Sequence, residues 1–157
     1  MIEKSASWSE IEKSIDIIVS NIKKDNKKYN YIVSLNRGGL IPGVLLSHKL
    51  NIPNCVYTIQ SYSDKEKKKL KKDLYISMIG SFKSSDHILV VDDISDTGET
   101  LAETIKKIKK IDSDVKNIDV ATIYYKNKSI FKPTYYAAEI DNDIWINFAW
   151  ENNVRKS

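Results

Sequence analysis

Two adjacent carboxylates, Asp92 and Asp93, follow a short apolar run and precede a small polar turn. Residues 87–101 read HILVVDDISDTGETL, so the turn carries hydroxyls and a glycine, and a helical pattern begins at about Glu99. Such a turn at the start of a helix offers backbone N–H groups and hydroxyls to a phosphate, and the helix dipole favours an anion there. The two acids can accept from sugar hydroxyls or hold Mg²⁺, which prefers oxygen ligands. The order of these residues predicts a site for a phosphorylated sugar.

Each fragment of this stretch also fits an ordinary structural role. Two acids after a strand are compatible with simple polarity at a strand end, and Asp-Thr-Gly is compatible with a plain turn and helix cap. The complete string in this order is harder to obtain from turn chemistry alone, and it favours the functional interpretation.

Alternating strands and helices must position this stretch. Ser7 and Glu10 fit a capping box ahead of an amphipathic helix over residues 8–24. Further helices are predicted at 40–50 and 98–110, and strands at 31–35, 55–61, 74–79, 88–91, 120–125 and 135–140. This alternation is typical of a mainly parallel α/β sheet covered by helices on both faces. The loops 36–39 and 92–98 then both follow strands, at the sheet edge where ligands bind, and we expect them to face one ligand.

Composition narrows the class of protein. The 157 residues are 41% hydrophobic and 29% charged, which is typical of one soluble domain. No apolar stretch approaches the ~20 residues that span a bilayer, and residues 1–10 lack the apolar core of a secretory signal. A single cysteine, Cys55, fits a reducing cytoplasm. The only histidines are His48 and His87, so a histidine-based metal site is not expected.

The net charge of +4 is concentrated in one lysine-rich segment, residues 65–72. Two interpretations remain open from charge alone: a solvated surface segment, or a mobile basic flap over an anionic substrate. A nucleic-acid partner is not expected, because these lysines are confined to one segment and are not interleaved with aromatic residues.

Several motifs resemble one known family. VVDDISDTGET, residues 90–100, resembles the signature of the type I phosphoribosyltransferases, which bind 5-phosphoribosyl-1-pyrophosphate (PRPP). Residues 34–39, SLNRGG, resemble the pyrophosphate-binding loop of that family. Residues 40–43, LIPG, and the tail, with DIWI at 143–146 and WE at 150–151, are similar to the bacterial xanthine–guanine enzymes. The resemblance runs from Trp8 to Glu151. It implies one Rossmann-like phosphoribosyltransferase domain over 1–157, with a mainly parallel sheet, flanking helices and a small C-terminal hood at about 126–151.

The resemblance also implies a PRPP site. The residues that it assigns to PRPP are Arg37, Gly38, Gly39, Asp92, Asp93, Ser95, Asp96, Thr97, Gly98, Glu99 and Thr100. Among them, Arg37 and the N–H groups of Gly38 and Gly39 are expected at the pyrophosphate, after a peptide bond that is cis without proline. Asp92 and Asp93 are expected at the ribose hydroxyls and at Mg²⁺. Residues 96–100 are expected around the 5′-phosphate, with Glu99 pointing outward because its charge would repel the phosphate.

The same resemblance assigns a flexible loop and a set of base-binding residues. A flexible loop at about 61–73, which begins with Ser61 and Tyr62, is expected to close over PRPP and exclude water. Asp96 matches an acid near N7 of a 6-oxopurine, Lys126 a donor to the O6 carbonyl, Trp145 a ring that stacks on the base, and the Ile146 carbonyl an acceptor for a 2-amino group. Other roles stay open: Asp96 as a helix cap, Lys126 as a surface lysine, and Trp145 in the core or an interface.

The implied function is purine salvage by an Mg²⁺-dependent glycosyltransferase that joins PRPP to guanine, xanthine or hypoxanthine. The alternatives are a non-catalytic regulator that senses PRPP or a nucleotide, and a phosphoribosyltransferase for another base. The order of preference among the three bases is left open. Trp8 and the aromatic C-terminal segment offer an interface for a homo-oligomer, either a dimer or a tetramer.

Overall fold

Helices and strands alternate along most of the chain. The computed structural model describes residues 2–62, 71–77, 82–111, 115 and 117–151, and the side chains of 59–62, 71–77 and 111 are not described. The elements are β1 Ile2–Ala6, α1 Trp8–Lys24, β2 Tyr31–Asn36, α2 Leu40–Leu50, β3 Asn54–Tyr62, β4 Lys71–Ser77, β5 His87–Ser95, α3 Glu99–Ile111, β6 Asn117–Lys126, β7 Tyr135–Ile140 and β8 Ile144–Phe148, followed by a 3₁₀ helix at Ala149–Glu151.

The larger sheet has six strands in the order β4-β3-β2-β5-β6-β7. All neighbours are parallel except β3 and β4, which are antiparallel. Because β2, β5 and β6 are adjacent and parallel, their carboxyl ends meet at one edge. The predicted mainly parallel α/β fold is confirmed, and this edge is where its ligand site is expected.

Apolar residues cover both faces of the sheet. On one face, α1 and α2 pack through buried residues such as Ile15 and Leu46 against Leu89 and Val91 of β5. On the other face, α3 packs against β2 and β6, and Val90 of β5 belongs to that second cluster. Alternate residues of β5 therefore point to opposite cores, as expected for a strand that is buried on both sides.

The first helix agrees with its sequence pattern. The Ser7 hydroxyl accepts from the backbone N–H of Glu10 at 3.3 Å, and the Glu10 carboxylate accepts from the Ser7 N–H at 2.8 Å. This reciprocal pair is the predicted capping box, and it satisfies two N–H groups at the helix start. Among the described residues, no helix is both long enough and apolar enough to cross a membrane.

Several strands differ from the sequence-based prediction. Strands β1 and β8 were not predicted. They pair in parallel as a separate two-stranded sheet, and β1 is almost wholly exposed, so it has no apolar alternation to reveal it. Strand β5 continues through the acidic pair to Ser95, because its ladder with β6 extends that far. The predicted loop at about 61–73 overlaps the ends of β3 and β4, and its residues 63–70 lie outside the described residues.

A polar network closes the opposite, amino-terminal edge of the sheet. Asp119 accepts hydrogen bonds from Lys27 at 2.8 Å, Tyr29 at 2.7 Å and Thr134 at 3.1 Å, and His87 lies 2.9 Å from it. Burial raises the pKa of Asp119, but the hydrogen bonds from Lys27 and Tyr29 outweigh it and leave that pKa below its usual value. This edge is held together by polar contacts within the chain.

Candidate active site

The two glycine-bearing loops meet at the carboxyl edge of the sheet. Gly38 lies so close to the Asp93 carboxylate that a Cβ at position 38 would overlap it. Gly39 packs equally closely against the backbone carbonyl of Val91 in β5. Only residues without a side chain allow this approach, so the sequence of the first loop fixes its distance from the acidic pair.

The first loop, residues 36–39, contains a cis peptide bond and a backbone hydrogen bond within the chain. The peptide bond between Asn36 and Arg37 is cis, as the resemblance implies. Arg37 is exposed. The N–H of Gly39, however, donates to the Leu35 carbonyl at 2.8 Å. In this conformation the loop uses this N–H to begin α2, and its contact with pyrophosphate stays a prediction.

The acidic pair is held in a poorly solvated position. Burial raises the pKa of Asp92 well above its usual value, and the neighbouring charge of Asp93 adds to the shift. Burial also raises the pKa of Asp93, to about 6, with a further contribution from the nearby charge of Glu151. The Asp93 N–H donates to an Asp92 oxygen at 3.0 Å, which joins the two residues. Shifts of this kind are typical of acids at functional sites.

These two carboxylates fit Mg²⁺. Within the described residues, neither forms a salt bridge with a lysine or arginine, and no group of three or more His, Cys, Asp or Glu residues forms a closed metal cage. Mg²⁺ is usually held by one or two carboxylates, with substrate phosphates and water completing its shell. Two half-buried acids that form no salt bridge with a cation of the described residues match that incomplete donor set.

Replacing Asp93 by asparagine is expected to raise the free energy of unfolding of the ligand-free protein at pH 8. A carboxyl whose pKa rises from 3.8 to about 6 on folding binds its proton more tightly in the folded state. The folded protein consequently loses stability as the pH rises through that interval, and at higher pH it carries the full cost of the buried charge. At pH 4 the effect of Asp93→Asn should be small.

Urea unfolding of both proteins at pH 4 and pH 8 measures this difference. Asp16→Asn is a matched control, because the Asp16 side chain is 63% exposed and is paired with Lys49 on the surface. Equal or lower stability of Asp93→Asn at pH 8 would contradict the burial of an unpaired charge at this position.

The polar turn between β5 and α3 is held by contacts with the loop between β6 and β7. Gly98 has φ +80°, a left-handed conformation that favours glycine. Thr97, Glu99 and Thr100 are exposed. Ser95 is 1% exposed, and its hydroxyl donates to the Phe131 carbonyl at 2.7 Å. In this conformation the Ser95 hydroxyl holds the turn against the loop between β6 and β7, and its contact with a phosphate stays a prediction.

A cleft of about 140 Å³ opens beside this turn; it is lined by Asp93, Ile94, Asp96, Lys126, Trp145, Ile146, Phe148 and Glu151. Lys126 is only 4% exposed, and its ammonium lies 3.1 Å from the Asp96 carboxylate. Trp145, which also lines the cleft, is 39% exposed. The alternatives of a surface lysine and a core tryptophan are therefore excluded.

Two parts of the site were not predicted from the sequence. Glu151 lines the cleft, and its carboxylate accepts from the Phe148 N–H at 3.1 Å. The only signal for it was its place in the tail that resembles the xanthine–guanine enzymes. Strand β1 supports the wall through its pairing with β8, where Glu3 is in register with Trp145. No periodicity in residues 2–6 indicated this contact.

Comparison with known proteins agrees with this geometry. Residues 6–155 match the family model described as "Phosphoribosyl transferase domain". The chain is 28% identical over 154 residues to a xanthine-guanine phosphoribosyltransferase of Idiomarina loihiensis, covering 94% of this chain and 86% of that protein.

Solved structures give the same result. A purine phosphoribosyltransferase from Pyrococcus horikoshii superposes with a TM-score of 0.82 at 32% identity, covering 96% of this chain and 95% of that one. The xanthine-guanine-hypoxanthine enzyme of Helicobacter pylori shares the fold, with a TM-score of 0.78, 23% identity and coverage of 95% and 94%. With the paired loops, the acidic strand end and the cleft in place, the chain belongs to the family of phosphoribosyl transferase domains, as its sequence motifs predict.

Proposed function

We propose that this protein transfers the 5-phosphoribosyl group of PRPP to N9 of a 6-oxopurine and releases pyrophosphate. The observation that carries the proposal is the Asp96–Lys126 pair, 3.1 Å apart in a cleft next to the phosphate turn. Lys126 presents a hydrogen-bond donor to this cleft, and Asp96 presents an acceptor. The purine-enzyme names of the Pyrococcus and Idiomarina relatives support the same substrate class.

The base end of the cleft suits an oxopurine. An ammonium has only donors, so Lys126 favours a carbonyl at position 6 over the amino group of adenine. The Asp96 carboxylate is placed to accept the proton that the imidazole ring loses as N9 attacks. Trp145 offers a ring face to the base, and the Ile146 carbonyl offers an acceptor to a 2-amino group.

At the sugar end, the C1–O bond to pyrophosphate breaks as the C1–N9 bond forms. Asp92 and Asp93 accept from the ribose hydroxyls and are the residues that would hold Mg²⁺, which when bound neutralises charge on the leaving group. Arg37 and the Gly38 N–H add donors to pyrophosphate. Thr97, Thr100 and the N–H groups at the start of α3 bind the 5′-phosphate.

Measuring pyrophosphate release with PRPP, Mg²⁺ and each of guanine, xanthine, hypoxanthine, adenine and uracil tests the proposal. We expect release with one or more of the three oxopurines and little with adenine or uracil. Release with adenine or uracil alone would overturn the base assignment. PRPP binding without release with any base would favour the regulator. The cytoplasmic location and the homo-oligomeric state remain predictions.

A further inference from the structure

Ser129, in the loop between β6 and β7, lies at the centre of a small ring of hydrogen bonds. Its hydroxyl is 2.8 Å from the Ser95 hydroxyl, and it accepts from the Phe131 N–H at 3.2 Å. Ser95 in turn donates to the Phe131 carbonyl at 2.7 Å. The Ser129 hydroxyl also lies within donating distance of the Phe131 carbonyl, at 3.1 Å, so either serine can donate in the contact between the two hydroxyls. The two hydroxyls and the backbone of Phe131 together form one closed ring.

This ring lies between the two ends of the proposed substrate site. On the base side, the Ser129 N–H donates to the carbonyl of Lys126 at 2.9 Å. On the phosphate side, the Ile130 N–H donates to the carbonyl of Thr97 at 2.9 Å. Gly98 packs so closely on the Ser129 hydroxyl that a Cβ there would overlap it. A short loop thus joins the base donor to the phosphate turn through hydrogen bonds and close packing.

We propose that Ser129 is a positioning residue that holds the turn at 96–98 in the shape that binds the 5′-phosphate. The inference rests on the proposed function and adds to it. Ser129 touches no substrate in this account. It acts through Ser95, which is 1% exposed, and through Gly98, which packs against the Ser129 hydroxyl. The pyrophosphate loop at 36–38 lies outside this ring, so the two phosphate sites should respond differently to its loss.

The test compares two ligands on the same variants. Calorimetry would give the Kd of guanosine 5′-monophosphate, which carries the 5′-phosphate, and of pyrophosphate with Mg²⁺, which does not. Ser129→Ala and Ser95→Ala should each raise the Kd of the nucleotide about three- to tenfold, the range for losing one ordinary hydrogen bond. The Kd of pyrophosphate should stay within about twofold of wild type. The double variant should lose less than the sum of the two, because both residues belong to one ring.

Thr134→Ala is the matched control. Thr134 belongs to the same β6–β7 connection, and its hydroxyl donates to Asp119 at 3.1 Å at the far edge of the sheet. This variant should leave both Kd values unchanged. Equal loss of nucleotide and pyrophosphate binding in Ser129→Ala, or loss of neither, would overturn the positioning role. A wild-type protein that binds neither ligand would instead overturn the proposed function, and the inference with it.

Discussion

Asp96→Asn is expected to lower turnover by about 10²- to 10⁴-fold, the range for removing a positioned acid or base. The amide has nearly the shape of the carboxylate and still accepts a hydrogen bond from Lys126, but it cannot take up the proton of the base. PRPP binding should remain, because the turn from Thr97 to Thr100 is untouched. Turnover with the oxopurine that the wild type prefers, together with the Kd of PRPP by calorimetry, measures both effects.

The chain supplies a matched control for this variant. Asp119 also pairs with a lysine, Lys27 at 2.8 Å, but at the amino-terminal edge of the sheet. Asp119→Asn should lower the free energy of unfolding, because it weakens a network with several donors, and should leave turnover near the wild-type value. If Asp96→Asn resembles Asp119→Asn, with reduced stability and normal turnover, then Asp96 is only a structural partner of Lys126.

Lys126→Met is expected to lower kcat/KM for the preferred oxopurine by about 10- to 100-fold, since hydrogen bonds to charged groups contribute about 1.5–3 kcal/mol. Methionine keeps the apolar stem, which matters because Lys126 is 4% exposed. The ratio of activity with the oxopurine to activity with adenine should fall as well, because the site loses the donor that selects for a carbonyl. Steady-state kinetics with both bases measure this ratio.

Lys128→Met separates the role of this ammonium from a general effect of charge. Lys128 lies two residues further on in an exposed turn, where its ammonium donates to the Asn142 carbonyl at 3.4 Å. We expect this variant to keep the wild-type kinetics. An unchanged base ratio in Lys126→Met would remove Lys126 from the base site.

Those parts of the fold that depend on a local sequence pattern could be predicted. The amphipathic period of α1, its capping box and the apolar runs of β2 and β5 were each visible, and the structure agrees with them. Strand β1 was not visible, because Ile2–Ala6 is nearly all exposed and is held by pairing with residues more than 130 positions away. Its partner β8 does carry an apolar alternation at Ile144, Ile146 and Phe148, but that pattern does not indicate which strand it pairs with.

Some features of the candidate site were likewise predictable from the sequence, and others were not. The two glycine-bearing loops were expected at the carboxyl edge of one parallel sheet, so their meeting was predictable from topology. Hydrogen-bond commitments were not, because they depend on which atoms face each other after folding. The Gly39 N–H and the Ser95 hydroxyl were assigned to ligand, yet each serves the protein, through Leu35 and Phe131. Residue type indicates what a group can donate, and only the structure gives its partner.

Identification of the product tests the central claim most directly. Guanine, PRPP and Mg²⁺ would be incubated with the wild-type protein, and nucleotide, pyrophosphate and ribose 5-phosphate would be separated and quantified, with hypoxanthine and xanthine in parallel. The account predicts that at least one oxopurine yields its nucleoside 5′-monophosphate and pyrophosphate in equal amounts. Pyrophosphate formed together with ribose 5-phosphate and no nucleotide, or no product with any of the three bases, would contradict it.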